Sequence, residues 1–341
     1  MTYRLFPLCI LLALCAYGQA QVANICLPPA PGDTPELFMP GMLCTGAYER
    51  DITMSPDGKE LYIGVIYGRC VTILFTRCEK GAWTPLEVAP FAQDPNFFYF
   101  EPHVTPDGQK LMFLCTRPPK KDLPPKPGWS YQHIWQVHRL PDGSWSEPYP
   151  LSPPINSEEN EFYPSVTRDG TLYFTRSDKT GKGRIMRAPF VDGAYQQPEP
   201  LPDPVNGQGN LFNAFIAPDE SFLIACITGR KDALTEGANH YIFFRYPDGA
   251  WSEGINLGET INAPGHNASS QYVSPDGKYF FFAAGKNVFL QDTLTYSLLQ
   301  RMHNSPRNGL ADIYWLKAGF LAELKKQSSS VHVPGPDSSS E

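Results

Sequence analysis

Short apolar runs recur along most of the chain, and each is entered through the same kind of turn. Five segments carry the pattern: MSPDGKELYIGV, VTPDGQKLMFLC, VTRDGTLYFTR, IAPDESFLIAC and VSPDGKYFFFA. Their turn aspartates are Asp57, Asp107, Asp169, Asp219 and Asp276. An Asp-Gly pair between alternating apolar runs is a strong short-range hairpin signal. A second turn follows the first four, 23 to 35 residues after the first turn's glycine position, in KGAWTPLEV, DGSWSEPYPL, DGAYQQPEPL and DGAWSEGINL. Each repeat therefore holds two hairpins. Four strands per unit of about 50 residues predict an all-β propeller rather than a sandwich. The third repeat shows all four: FYPSVT, TLYFTR, RIMRAPF and AYQQPEP.

The ends of the pattern set the blade number. The fifth repeat runs through DIYWL, which matches the third strands HIWQV and HYIFF, and then lacks a fourth strand. The segment from Pro35, PELFMPGMLCTGAYERD, has the layout that elsewhere brings a fourth strand into the next repeat. Pairing it with the last repeat predicts five blades, closed by the N-terminal strand with no free sheet edge. The alternative, a six-bladed ring, would need four strands from about fourteen residues before Pro35, too few at about five residues each. The organisation expected is a signal peptide over 1–20, an extension over 21–34, the propeller over 35–326 and a disordered tail over 327–341.

These repeats resemble the PD40 or WD40-like family, the propeller repeats of the periplasmic protein TolB, through the S-P-D-G-K-x-L-Y-F type motif. The resemblance covers nearly the whole mature chain and implies an exported bacterial propeller with binding or scaffolding roles. Some relatives of similar build act on polysaccharides. The motif builds turns, so it speaks for architecture and not for activity.

The N-terminus supports export. Arg4, the apolar run Phe6 to Ala16 and the small-x-small site Gly18-Gln19-Ala20 read as a secretory signal, too short to span a bilayer. No other stretch is long enough to do so, and the location expected is periplasmic or secreted. With 35 acidic against 28 basic side chains, net charge −7, a nucleic-acid partner is not expected. Six cysteines follow the leader, and Cys26–Cys44 and Cys70–Cys78 are the first pairs to test among fifteen connectivities. Cys115 and Cys226 sit in apolar strands as small buried hydrophobes.

Antiparallel blades place all Asp-Gly turns on one face and all long connections on the other: Arg117 to Gln132, Gly229 to Asn239 and Gly285 to Ala311. Binding residues concentrate on variable loops held by a rigid scaffold. Counting back six from each turn aspartate gives Asp51, Glu101, Tyr163, Asn213 and Ser270, expected to ring the channel mouth on the long-loop face. His103, Glu161, Gln271, His266 and Asn267 lie near them in sequence, Arg117 and Arg176 end second strands, and Trp129 can stack on a sugar ring. The ligand expected is a glycan or an envelope protein, bound by a monomer. The plainer reading is that polar residues line any wet channel and that Trp83, Trp145 and Trp251 merely pack blades.

Catalytic signatures are sparse. No Gly-x-Ser-x-Gly elbow, His-Glu-x-x-His helix or phosphate loop occurs. Asp51 and Glu101 could serve as the paired carboxylates of a glycoside hydrolase or polysaccharide lyase, at a distance the sequence does not supply. His103, His133, His240 and His266 come from different repeats without close ligand spacing, so no metal and no cofactor is expected.

Overall fold

Every Pro-Asp-Gly turn closes on its aspartate. Asp57 Oδ1 accepts from Ser55 Oγ at 2.6 Å and from the Lys59 amide at 3.2 Å. Asp107 and Asp276 repeat the arrangement with Thr105 and Ser274 at 2.5 and 2.6 Å. An Asx side chain thus caps its own backbone, and the next residue turns left-handed. Gly58 does so with φ 67°. In the fourth repeat Glu220 occupies this position at φ 58°, and its carboxylate is held by Arg187 at 3.0 Å and by Arg245.

The computed structural model describes residues 26–120, 122–263, 268–289 and 293–331. The expected signal peptide, His266, Asn267 and the last ten residues lie outside them. Five sheets form a ring, so the five-bladed expectation holds and the six-bladed alternative falls. The innermost strands are Tyr48–Met54, Tyr99–Val104, Asn160–Val166, Asn210–Ile216 and Ala268–Val273. Blade 5 takes its outer strand from the N-terminal segment: Glu36 pairs with Trp315 and Leu37 with Tyr314. Phe38 follows, wholly buried, its ring 5.0 Å from those of Phe281 and Trp315. Burying such a side chain stabilises the closure by about 1.5–3 kcal/mol.

Innermost strands expose a row of inward N–H groups, and four of the five blades satisfy a neighbour's. Thr53 Oγ1 accepts from Val104 N at 3.1 Å, His103 Nε2 from Val166 N at 3.0 Å, Ser165 Oγ from Ile216 N at 3.0 Å and Tyr272 OH from Met54 N at 3.2 Å. These latches tie the ring together circumferentially. Blade 4 breaks the series, because Phe215 stands at the equivalent position and offers no acceptor.

The cysteines pair differently from expectation. Cys26 is bonded to Cys78, with Cα atoms 5.9 Å apart, fastening the N-terminal extension to blade 1. Cys70 and Cys78 lie on one extended strand, Cys70–Glu79, which holds them about 26 Å apart at 3.3 Å per residue. Cys44 is buried beneath the closure, its thiol donating to Phe38 O and Ile313 O, both at 3.3 Å. Cys115 and Cys226 are fully buried hydrophobes. Helix Phe320–Val331 continues past Lys326, and buried Ser328 meets Tyr246 OH at 2.8 Å. No helix of the described residues is long and apolar enough to cross a membrane.

Candidate functional site

The five polar positions found by counting from the turns share an unusual backbone. Asp51, Glu101, Tyr163 and Asn213 have φ between 53° and 58°, and the pairing register of all five innermost strands shifts at or beside the counted position. A bulge re-aims the side chain out of the sheet, at a cost of about 1 kcal/mol or more for each left-handed non-glycine residue. The strain is offset by contacts at the axis. Gly64 makes room for two of them, since a Cβ there would lie 2.8 Å from the Phe100 ring and 3.0 Å from Asp51 Oδ2.

Their position differs from the expected channel mouth. Asp51 is the fourth of seven strand residues, and all five side chains are buried halfway down the axis. Arg50 grips Asp51 through Nε at 2.7 and 2.8 Å and reaches Glu101 Oε1 at 3.5 Å. Glu101 Oε2 accepts from Tyr163 N at 2.8 Å, and Ser270 Oγ from Asp51 N at 3.1 Å. Tyr163 crosses from blade 3 to blade 5, where its hydroxyl lies 3.2 Å from both Gln271 O and Gln271 N. Asn213 Nδ2 donates to Ser269 O at 2.5 Å, and Gln271 Nε2 donates to Asn213 O. Sequence reasoning predicted a wet tunnel lined by these residues; the structure has a plugged waist. Arg50 and Gln271 complete it, and the signal that could have found Arg50 is a cation adjoining a counted carboxylate.

Burial dominates the titration of this interior. It raises Asp51, and it pushes Glu101 up to about 8 with help from the Asp51 charge. Burial works against the Arg50 charge, but Asp51 foremost among its neighbours raises its pKa instead. Near the closure, burial pushes Glu49 up to about 7 and Asp312 up to about 6. Burial pulls His103 and His240 down to about 4. Glu101, Glu49 and Asp312 add stability that is full below their unfolded pKa values of about 4 to 4.5 and is lost as pH rises through about 6 to 8. The histidines add stability above pH 6.5 that is lost on acidification toward 4. The two sets offset one another between pH 4.5 and 6.5, and above that only the carboxyls act. The urea midpoint is therefore expected to fall between about pH 6.5 and 8.5, less steeply in Glu49→Gln. A flat or rising midpoint would mean that these carboxyls are ionised in the fold.

A separate site opens between blades 2 and 3 on the long-loop face. Its cavity, about 670 Å³, is lined by Pro119, Lys120, His133, Pro150 to Pro154, Asn156, Ser157, Glu158, Arg176 and Gln197. Behind the wall Glu161 is completely buried and gathers four donors: Arg176 Nε at 2.9 Å, Ser157 N at 3.2 Å, Ser157 Oγ, and His133 Nδ1 at 3.2 Å. Because the carboxylate accepts, Nδ1 of His133 carries a hydrogen. No hydrogen bond from Nε2 is seen among the described residues. Arg176 also donates to Ile155 O at 2.7 Å and Pro154 O at 3.3 Å, which fixes the proline-rich wall. His133 and Glu161 start strands of adjacent blades 28 residues apart, a separation that carries no motif.

Of the residues singled out from sequence, Arg176 lines this cavity with Glu161 behind its wall, and His103 lines a different one on the short-turn face. Arg117 lies beside Asp94 at 3.9 Å and over the rings of Phe97 and Trp135. Trp129 is 43% exposed but packs its edge on Phe98 and Phe100 at 4.9 and 5.8 Å. Asp51, Glu101, Tyr163, Asn213, Ser270 and Gln271 are in the waist. Trp145 packs blades as the plainer reading has it, donating to Tyr62 OH at 2.8 Å. Among the described residues no cluster of three or more His, Cys, Asp or Glu is arranged to hold a metal.

No protein-family model matches the chain, and no curated protein matches it in sequence. Solved structures align with the chain at low identity. TolB from Acinetobacter baumannii aligns at 12% identity and TM-score 0.42 over 78% of this chain and 53% of its own, so this chain spans about half its length. A putative TolB from Agrobacterium tumefaciens aligns at 12% identity and TM-score 0.45, over 80% and 90% of the two chains. An α-L-arabinofuranosidase from Lactobacillus brevis aligns at 11% identity and TM-score 0.49, over 80% and 91%. At such identities and scores these likenesses say nothing of what this chain binds or does.

Proposed function

We propose that this protein is an exported, non-enzymatic binding propeller that holds a glycan in the cavity between blades 2 and 3. The observation that carries the reading is the makeup of that cavity: prolines and Leu151 offer an apolar wall, while Lys120, His133, Ser157, Glu158, Arg176 and Gln197 offer hydrogen bonds. A pyranose presents the same two surfaces, C–H faces and hydroxyl edges, and Lys120 in the lining favours an acidic sugar. The leader sequence and the Cys26–Cys78 bond support export. The site calls on no cofactor and no second copy of the chain.

A glycan array of neutral and uronic-acid oligosaccharides tests the reading. Binding should weaken about tenfold in Lys120→Glu, whose side chain is exposed, with the melting temperature unchanged. Silence on the array together with capture of an envelope protein would replace the glycan by that partner.

A second reading, a carbohydrate-active hydrolase or lyase, is favoured by the His133–Glu161 pair, which has the form of a general base oriented by a carboxylate. Asp51 and Glu101, the carboxylates first considered for this work, are instead bound to Arg50 in the waist. The catalytic reading requires release of reducing ends from a polysaccharide panel, lost in His133→Ala while binding persists.

A further inference from the structure

The axis ends on the short-turn face in a cup of about 160 Å³, on the far side of the plugged waist. The last residue of each innermost strand walls it, Met54, Val104, Val166, Ile216 and Val273, together with Phe215. Four prolines, Pro56, Pro106, Pro218 and Pro275, form the rim, and Arg168 takes the fifth place.

Two departures from the fivefold pattern face this cup. Arg168 replaces a rim proline; its side chain is exposed and has no partner among the described residues. Phe215 replaces a latch acceptor, so the inward amide of Val273 receives nothing equivalent to the bonds on Met54, Val104, Val166 and Ile216. That amide lies on the inward edge of its strand, because Ser274 N is the one that bonds across the hairpin to Tyr279 O at 2.9 Å, as Ser55 N does to Glu60 O at 3.0 Å. His103, at the same level, spends Nε2 on Val166 N, which leaves its Nδ1–H as a donor. Among the described residues the cup thus presents apolar walls, two N–H donors without an acceptor and one cation.

We propose that the cup binds a small aliphatic carboxylate, its oxygens on Val273 N–H and His103 Nδ1–H, its alkyl group against the wall and its charge facing Arg168. At roughly 30 Å³ per water-sized group the volume holds about five or six heavy atoms, the size of butanoate. Burial keeps His103 neutral down to about pH 4, so it serves as a single neutral donor. An apolar solute alone would leave both donors unsatisfied, and a larger anion would not enter.

Calorimetric titration of the whole mature protein with sodium butanoate, against sodium chloride at equal ionic strength, tests this. One saturable site is expected, weakened at least tenfold in Arg168→Gln, whose melting temperature should match the parent. Val104→Phe, which fills the cup, should abolish binding; if that variant does not fold, Arg168→Gln still decides. Absence of saturable butanoate binding, or binding unaffected by Arg168→Gln, overturns the proposal. Neither result bears on the glycan cavity, which lies on the opposite face.

Discussion

Replacing Arg50 with methionine is expected to lower the unfolding free energy by about 3–5 kcal/mol, read from urea or guanidinium unfolding at neutral pH. Two carboxyls depend on that guanidinium, Asp51 through a two-point contact and Glu101 at 3.5 Å, and both are nearly solvent-free. Without it each must be buried as an unpaired charge or take up a proton. Glu101, already pushed up to about 8, protonates first. The cost in Arg50→Met should therefore shrink as pH is lowered from 8 to 5. A triple variant Arg50→Met, Asp51→Asn, Glu101→Gln should recover most of the loss, because it removes the buried carboxyls together with their cation. A loss below about 1 kcal/mol in the single variant would mean that water reaches the waist and that the plug is not dry.

Removing the Cys26–Cys78 bond by substituting both with serine should cost roughly 4 kcal/mol, the loop-closure value for a ring of about 50 residues. The effect goes beyond chain entropy. Cys26 anchors the extension to blade 1, while Glu36 and Leu37, ten residues on, pair with blade 5. The bond therefore straddles the seam of the ring and holds the closing strand near its partner. In the variant, amide exchange should accelerate first at Leu37, Phe38 and the paired residues Tyr314 and Trp315, and only then elsewhere. Uniform acceleration over all blades would instead mean that the seam is no weaker than any other interface.

The repeat and blade number were legible because turns built on an aspartate are local chemistry, and five of them, four Asp-Gly and one Asp-Glu, recur 50 to 62 residues apart. Even the ring of polar positions could be found by counting, since the bulge sits a fixed six residues before each turn aspartate. What those positions do was not legible. Tyr163 reaches Gln271 across the axis, 108 residues away, and Arg50 turns two presumed channel carboxylates into one ion-paired cluster. The disulfide escaped for a related reason: nearness in sequence along one strand is distance in space, so Cys70 and Cys78 point to opposite ends of the blade. His133 and Glu161 carry no motif because the blades, and not the chain, make them neighbours. The recurring asparagines Asn156, Asn206 and Asn262 show the opposite case. Each clasps the third strand of its blade through the main chain of Ile134, Ile185 or His240, a structural job that a search for active polar residues passes over.

The seam also sets an order of events. Glu36 and Leu37 leave the ribosome before any blade exists, yet their partners Tyr314 and Trp315 come last of all, so the ring cannot shut until almost the whole folded chain has been delivered. Until then Phe38, Phe281 and Trp315 have no cover from one another, and blade 5 displays an open edge at the moment when the other four can already be in place. Contacts of such long sequence separation form slowly. The open ring is the species that a folding helper would meet, and its lifetime limits how much of the chain reaches the closed state rather than aggregating.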